Sequence, residues 1–420
     1  MAEETLEDVE FTEEQLRAAL KSVGREARQL AFAAGRPVYF VKNGSLIALY
    51  SENTPGREVL RDFNLVAASS GGSIVLGGML ENLKLGEILN LFEDQTTRKS
   101  IFSDTQAIGD RVLRDLTGLG PKYSTKNKLP ALKRVLADTG NTPLTEVASG
   151  LPGHGSDQDL HLLIIGFDYD RNRAAFFRSA ESSGPEWGKG ETANVTLAEA
   201  IHASTNAPVN YFDAPATFPG GMDRYWDGAI AGCNNPVLAA ATEAIVRRVN
   251  PTDIVALSIG TASVALPWAL AGQPQSPYTQ PILEPGLVTD LHKLATSILD
   301  DPPDIATFLA HVLTGSGIGL DMPAPKSRIV RMNPLISPLR NQSGEWSPPG
   351  SMNEIEFKYL AALDMDAVEQ SQVDAISNYA DLWWQDAAPN QPIRMNGDTL
   401  VPELGQIRFS DAAAAWNAIK

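Results

Sequence analysis

The sequence predicts an α/β fold built on a mostly parallel sheet that helices cover on both faces. Short apolar runs typical of buried strands occur at 63–69 (FNLVAAS), 160–168 (LHLLIIGFD) and 252–260 (TDIVALSIG). Helical patterns lie between them, as in 74–92 (IVLGGMLENLKLGEILNLF). Strands that alternate with helices in this way are joined by crossover connections, which place neighbouring strands parallel and helices on the two faces of the sheet.

Composition and charge limit the kinds of function that the chain is expected to have. The chain has 420 residues, 43% of them hydrophobic, which suits one large domain or two domains with a buried core. The net charge of −17 and the lack of a Lys/Arg run argue against nucleic-acid binding and against simple electrostatic docking on anionic membranes. The sequence has no glycine-rich dinucleotide motif and no Cys/His cluster, so it predicts neither a nicotinamide cofactor nor a metal.

The cellular location is predicted from the cysteine count and from the start of the chain. Cys233 is the single cysteine, so no disulfide within the chain can form and a reducing compartment is expected. The acidic start (MAEETLEDVEFTEEQ) lacks the apolar core of a signal peptide, and no run approaches the roughly 20 apolar residues that span a bilayer. We therefore expect a cytoplasmic protein in which Cys233 is buried and inert.

The first 50 residues contain a predicted helix and a predicted hairpin. Residues 12–34 carry a helical apolar stripe that opens with a capping box. Two apolar strands then flank Asn43-Gly44 within 38–50 (VYFVKNGSLIALY). Because both residues of that pair tolerate positive φ, the pattern favours a two-residue type I′ turn.

Helices are also predicted in the second half of the chain. The segment TLAEAIHASTNAP reads as a helix that Pro208 ends, and NNPVLAAATEAIVRRV reads as another. Asn235 is the expected N-cap of this second helix, and Pro236 is expected at its first position, where a missing N–H costs nothing.

Two adjacent serines lie in a small-residue segment, LVAASSGGSIVLGGML, between a predicted strand and a predicted helix. A sharp turn there would expose one side chain as a nucleophile and point helix N–H groups at a developing oxyanion. Such a turn needs small residues two before and two after the nucleophile. Ala68 and Gly72 meet this requirement around Ser70, the neighbours of Ser69 also meet it, and those of Ser73 do not. The strand length favours Ser70, while close packing of small residues is the alternative interpretation.

A wider set of segments points to a family. FNLVAASSGGSIVLGG, PKYSTKNKLPAL, LHLLIIGFDYDRNRAAFFRS, EAIHASTNAPVNYF, DGAIAGCNNPV and VALSIGTAS follow one another between residues 37 and 265. In this order they resemble the nucleophile strand and helix, the Lys-Tyr segment, the strand pair and the aspartate loop of the bacterial patatin-like phospholipases. The resemblance implies a three-layer α/β/α sandwich with a nucleophile elbow after a central strand.

The resemblance also implies a Ser–Asp dyad and a lipid substrate. By position, Ser70 matches the nucleophile and Asp227, in the Asp227-Gly228 turn, matches the general base, although Asp-Gly is a favoured turn pair in any protein. Ala68 replaces the first glycine of the family's serine motif. The implied activity is hydrolysis of phospholipids or other fatty acyl esters through an acyl-Ser70 intermediate, with no cofactor and with transient membrane contact.

The sequence departs from the family pattern at the oxyanion loop. The family carries a glycine-rich loop after its first strand, and nothing like it precedes Ser70. Gly44, Gly71 and Gly72 are the candidate backbone donors, although a simple hairpin is the favoured interpretation around Gly44. Because losing one oxyanion donor typically costs about 10²–10³ in kcat, an inactive patatin-fold binding or scaffold protein is the alternative.

A third hypothesis uses a histidine. His292 and His311 follow Asp227 and would complete a Ser–Asp–His order of the α/β-hydrolase type. The Trp-Asp-Gly-Ala context of Asp227 speaks against it. His202 is interpreted as a packed helix residue.

No feature of the sequence marks a firm domain boundary, and the division of the chain follows the family resemblance. We expect an N-terminal helical extension at 1–36, a patatin-like catalytic domain at 37–345, and a helical C-terminal tail at 346–420 packed on that domain. The Pro-rich segment 262–350 is predicted to be irregular, with one helix near 287–314.

Overall fold

The computed structural model describes most of the chain between residues 38 and 419. The described residues are 38–42, 45–49, 52–101, 121–151, 153, 159–179, 195–208, 211–268, 276–282, 284–286, 289–290, 293, 304–315, 327–341, 343–363, 367–397 and 399–419. The predicted helix at 12–34 and the extension at 1–36 lie outside them.

The central sheet is organised around its longest strand, β4 (His161–Asp168). One edge of β4 pairs antiparallel with β5 (Arg173–Arg178), as the predicted strand–turn–strand pattern requires. The other edge pairs first with β3 (Leu65–Ser69), which runs parallel, and then with β7 (Arg224–Asp227), which runs antiparallel. The short strand β6 (Ala216–Thr217) pairs antiparallel with β7. Consequently the carboxyl ends of β3 and β7 meet on one edge of β4.

Further strand pairs extend the β structure. β8 (Ala256–Ile259) pairs parallel with β10 (Ile329–Met332), and β9 (Ser263–Val264) pairs parallel with β11 (Leu335–Ile336). Three hairpin-like pairs are antiparallel: β1 with β2 (Val38–Lys42 and Ser45–Leu49), β12 with β13 (Leu339–Arg340 and Trp346–Ser347), and β14 with β15 (Arg394–Met395 and Pro402–Leu404). The β structure is therefore mixed. Its parallel pairs join strands that are far apart in the chain, as crossover connections require.

Helices surround these strands, and the predicted α/β class is confirmed. They are α1 (Gly56–Leu60), α2 (Gly71–Leu80), α3 (Leu85–Glu93), α4 (Gln95–Ile101), α5 (Lys128–Val135), α6 (Leu144–Ala148), α7 (Leu197–Ser204), α8 (Val237–Val246), α9 (304–313), α10 (Glu354–Ala361), α11 (Gln370–Trp384) and α12 (Phe409–Ile419). No helix in the described ranges is long and apolar enough to cross a membrane.

The largest apolar cluster packs α2 and α7 against β4. It includes Leu76 and Leu80 of α2, Ile201 of α7, and Leu162 and Ile164 of β4, all nearly inaccessible to solvent. The two helices approach closely, since a Cβ placed on Gly77 would lie 2.5 Å from Ile201 Cδ1. Gly77, seven residues after Ser70, therefore serves close packing of α2 against α7.

Local predictions agree with the structure in part. The helical run predicted at 74–92 forms two helices, α2 and α3, with Asn82 at φ 65° between them. The hairpin at Asn43-Gly44 is confirmed in its strands, because Lys42 pairs with Ser45 and leaves two residues between them. The helix predicted from Asn235 begins one residue later than expected, with Pro236 as N-cap. Asn235 Oδ1 still accepts the Val237 N–H at 3.2 Å.

The shift has a tertiary cause. Asn235 Nδ2 donates to Thr307 Oγ1 at 2.7 Å, and Asn235 Oδ1 accepts from Ser258 Oγ at 2.9 Å. These long-range bonds hold the side chain in the interior, where it links β8 to α9. Within the single helix predicted near 287–314, the described residues 289–290, 293 and 304–313 are helical.

The C-terminal segment contacts the residues that lead into β3. Trp416 of α12 stacks on Phe63, with ring centroids 6.2 Å apart. Arg98 of α4, only 4% exposed, donates to the carbonyl of Val368 and to Gln370 Oε1. The end of the chain thus packs against both the start of β3 and the helix pair that follows α2.

Candidate active site

Ser70 occupies a strained turn between strand and helix. β3 ends at Ser69 and α2 begins at Gly71, so Ser70 alone makes the reversal. Its φ of 50° and ψ of −132° lie in a region that L-residues rarely adopt, at a cost on the order of 1–3 kcal/mol.

Two neighbours hold the strained backbone. The Ser70 N–H donates to Ser204 Oγ at 3.0 Å, and the Ser70 carbonyl accepts from Ser73 Oγ at 2.6 Å. The surrounding structure thus fixes a conformation that would otherwise relax.

The residues flanking Ser70 agree with a turn that presents one side chain. Ala68 is buried, and Ser69 is buried with an Oγ that has no hydrogen-bond partner among the described residues. A Cβ built on Gly71 or Gly72 would meet no described atom within 4 Å. The first turn of α2 is therefore not crowded by the described residues near Gly71 and Gly72. The Ser73 N–H donates to the Ser70 carbonyl at 2.9 Å, whereas the N–H groups of Gly71 and Gly72 precede this first bond of the helix.

Asp227 reaches Ser70 because of the sheet register. Ser69, at the end of β3, pairs with Ile165 of β4, and Asp227, at the end of β7, pairs with the next residue, Gly166. The two strand ends therefore meet, and residues 157 positions apart in the chain come into contact. Ser70 Oγ donates to Asp227 Oδ2 at 2.7 Å.

Local bonds orient the Asp227 carboxylate. Its Oδ1 accepts the Ala229 N–H at 2.9 Å and so caps the short 3₁₀ turn Gly228–Ala231. The Asp227 N–H donates to the Asn206 carbonyl at 3.0 Å. Gly228 allows this arrangement, because a Cβ there would lie 2.4 Å from the Ile165 carbonyl oxygen. One carboxylate oxygen is thus held by the backbone while the other faces the serine.

Burial sets the protonation behaviour of Asp227. The residue is 3% exposed, and this burial raises the pKa of its carboxyl to about 6. The bonds from Ala229 and Ser70, and the charge of Lys128, lower the pKa and oppose part of that rise. A carboxylate with a pKa near 6 can accept a proton near neutral pH.

The sequence comparison bears on the same residues. Residues 40–241, which include both Ser70 and Asp227, match the family described as patatin-like phospholipase. This segment is a patatin-like phospholipase domain. The family comprises hydrolytic esterases and phospholipases, which suggests lipid acyl hydrolysis. No curated protein matches the chain.

The sequence analysis singled out three histidines, and the structure describes two of them, His202 and His311. His202 is buried on α7, and burial, aided by the charge of Lys128, lowers its pKa to about 3, so it is neutral. His311 is buried with Nδ1 bonded to Ser327 Oγ at 2.9 Å. His292 lies outside the described residues.

The burial of Cys233 differs from the expectation. It is half-buried rather than buried, because the turn after Gly228 leaves it near the surface. Burial still raises the pKa of its thiol, which agrees with an unreactive side chain.

Three residues near Ser70 and Asp227 have contacts that the sequence analysis did not predict. Ser204 Oγ accepts the Ser70 N–H, the Asn206 backbone carbonyl accepts the Asp227 N–H, and Lys128 places a buried charge near Asp227. All three lie in segments that were quoted for the family resemblance. The hydrogen-bond requirement of a strained turn could have signalled Ser204, whereas the burial of Lys128 has no signal in the sequence.

The remaining candidates concern donors and metals. Gly44, proposed as an oxyanion donor, lies outside the described residues. Among the residues that the structure describes, no three His, Cys, Asp or Glu side chains gather as a metal ligand set.

Proposed function

We propose that the protein is a lipid acyl hydrolase in which Ser70 is the nucleophile and Asp227 is the general base. The observation that carries the proposal is the 2.7 Å bond from Ser70 Oγ to Asp227 Oδ2, made from a strained turn. The family of residues 40–241 supplies the substrate class, which is phospholipids or related fatty acyl esters.

The first half of the reaction forms an acyl-enzyme. Ser70 Oγ attacks the acyl carbonyl carbon while its proton moves to Asp227 Oδ2. The tetrahedral intermediate then collapses, the ester C–O bond breaks, and the leaving alcohol takes the proton from Asp227. In the second half, Asp227 removes a proton from a water molecule that attacks the acyl carbon, and Ser70 leaves with that proton.

The oxyanion is assigned to the N-terminus of α2. The Ser70 N–H is already bonded to Ser204 Oγ, so it does not serve the substrate in this geometry. The N–H groups of Gly71 and Gly72 follow, and no described atom lies within 4 Å of a Cβ built on either glycine, which leaves room for a substrate oxygen among the described residues. A helix N-terminus also provides a favourable potential for negative charge.

The alternative function is a patatin-fold scaffold without activity. It is favoured by one observation, that no glycine-rich loop precedes Ser70 in the sequence. The two functions differ in whether Ser70 reacts.

Labelling with a fluorophosphonate, read by intact mass and peptide mapping, separates these functions. We expect one adduct, on Ser70, that is absent in Ser70→Ala and strongly reduced in Asp227→Asn. Ser69→Ala is the matched control, because its hydroxyl is adjacent but makes no hydrogen bond among the described residues, and it should keep the adduct. Release of fatty acid from phospholipid vesicles should follow the same pattern. An unlabelled wild-type protein would favour the scaffold.

A further inference from the structure

Lys128 is a buried lysine beside the dyad. It is the first residue of α5 and has no measurable solvent exposure. Lysine is almost never fully buried unless it is paired, because removing an ammonium group from water is costly. An exposed position would serve the helix equally well, so the burial needs a cause.

The contacts of Lys128 favour its charged form. Its Nζ donates to Asn206 Oδ1 at 3.3 Å and lies 4.0 Å from the centroid of the Phe212 ring. A carbonyl oxygen and the face of an aromatic ring both attract an ammonium group. Burial lowers the pKa of Lys128 well below its usual value, and the charge of Asp227 opposes that shift.

Asn206 connects Lys128 to the general base. Its side-chain oxygen accepts from Lys128, its backbone carbonyl accepts the Asp227 N–H, and its Nδ2 donates to the Ala214 carbonyl at 2.7 Å. Asn206 is itself fully buried. A displacement of the Lys128 ammonium group would therefore affect Asp227 in two ways. It would move the Asp227 backbone through Asn206, and it would change the electrostatic field at the Asp227 carboxylate.

We propose that Lys128 is a positioning residue, whose ammonium group, held by Asn206 and Phe212, keeps the Asp227 carboxylate ionised and oriented toward Ser70. The inference rests on the proposed Ser–Asp mechanism and adds a residue to it. Lys128 need not touch the substrate, since it acts through the charge and the position of Asp227.

Other ionisable groups surround β7, and they differ from Lys128 in their contacts and in their effect on Asp227. Among the described residues they are His202 on α7, Asp168 on β4, Asp213 in the 211–214 loop, Arg224 at the start of β7 and Cys233 after the 3₁₀ turn. Asp168 bonds to Arg171, Asp213 accepts the Thr125 N–H, and Arg224 bonds to Asp170. His202 is neutral. The charge of Lys128 is the one that lowers the pKa of Asp227 among these described groups.

The direction of the effect follows from the charge. A cation stabilises the carboxylate, so removing it raises the pKa of Asp227 further above its value of about 6. A rise of about one unit would slow the reaction about five-fold at pH 6, where the base is half ionised, and leave it almost unchanged near pH 9. A residue with only a structural role would lower the rate equally at every pH.

The test is the pH dependence of the fluorophosphonate labelling rate in Lys128→Met, Lys128→Arg and Thr125→Val. Lys128→Met keeps the length of the side chain without its charge. In this variant the acidic limb of the pH–rate profile, where labelling slows as the pH falls, should move to higher pH by about one unit. Lys128→Arg should keep the wild-type limb. Thr125→Val is the matched control, because it removes a 2.7 Å bond to the Ala214 carbonyl in the same region without a change in charge. An unmoved limb in folded Lys128→Met would overturn the proposal.

A second readout does not depend on activity. The carboxyl ¹³C resonance of Asp227, assigned by its loss in Asp227→Asn, reports the ionisation of that group directly. Its titration should move to higher pH in Lys128→Met, and to a smaller extent in Phe212→Leu. If wild type fails to label while this shift is present, the hydrolase mechanism is wrong and the Lys128–Asp227 coupling stands. If wild type labels and the resonance does not move, only the role of Lys128 is wrong.

Discussion

The Ser70–Asp227 pair and a second cluster around Arg331 are both hydrogen-bonded groups of polar side chains that contain a buried ionisable residue, and they differ in kind. Arg331, on β10, donates from Nη1 to Ser258 Oγ at 2.9 Å and from Nε to Gln391 Oε1 at 3.3 Å. Gln391 in turn donates to Asp304. Burial lowers the pKa of Arg331 to about 10, with the charge of Asp304 opposing the shift, so it stays charged at neutral pH.

The difference lies in strain and in titration. Arg331 belongs to a regular strand and does not change charge in the physiological range, whereas Asp227 has a pKa of about 6 and faces a serine on a strained turn. Burial and hydrogen bonding are common to both clusters. A reactive site needs in addition a group that changes its protonation near working pH and a side chain held ready for attack.

The largest expected effect is the loss of activity in acid. In the proposed mechanism Asp227 must be ionised to accept the Ser70 proton, so hydrolysis should fall about 100-fold between pH 7 and pH 4, with a midpoint near pH 6. Steady-state hydrolysis of a soluble acyl ester across this range measures it. His292→Gln and His311→Gln are the controls, and both should keep the acidic limb. If either variant loses the limb together with activity, a histidine is the base and the Ser–Asp mechanism is wrong.

The second prediction concerns stability in the Arg331 cluster. Arg331→Met removes the cation that faces Asp304 and leaves buried polar groups less well paired, so the free energy of unfolding should fall by about 2–4 kcal/mol. Chemical denaturation measures this change. The pH profile of labelling should stay that of wild type at temperatures where the variant is folded. A shifted profile would show that the two clusters are coupled, and the distinction drawn above would fail.

The smallest expected effect isolates the strain at Ser70. Glycine adopts the observed φ and ψ readily, so Ser70→Gly should unfold with a free energy about 1 kcal/mol higher than Ser70→Ala. Both variants lack the nucleophile, and so activity does not complicate the comparison. Thermal and denaturant unfolding of the pair provide the measurement. Equal stabilities would mean that the turn carries no strain.

The sequence predicts the parts of this site that rest on local chemistry. A strand, two serines and two glycines predict a turn at Ser70, and the turn is present with the expected residue at its tip. The Asp227-Gly228 turn was found through the family resemblance. The register that joins them depends on consecutive residues of β4, Ile165 and Gly166, and no local pattern encodes that pairing.

The burial of Lys128 could not be predicted from the sequence. It lies in KNKLPALKR, among other lysines and an arginine, and nothing local distinguishes it from a solvated neighbour such as Lys126. Its burial arises from the packing of α5 against α7 and from the position of Phe212. The N-cap shift at Asn235 has the same origin, since bonds to distant side chains decide how that residue is used.

Gly228 has a steric role in the Asp227-Gly228 turn, because there is no room for a side chain at this position. Any side chain at this position would collide with the Ile165 carbonyl oxygen and come within 2.9 Å of Ser69 Oγ. The collision would push the end of β7 away from β4 and from the end of β3, and so separate Asp227 from Ser70. Gly228 therefore lets the two strand ends approach closely, and in the proposed mechanism a single methyl group at this position would prevent hydrolysis without contacting Ser70 Oγ or Asp227 Oδ2.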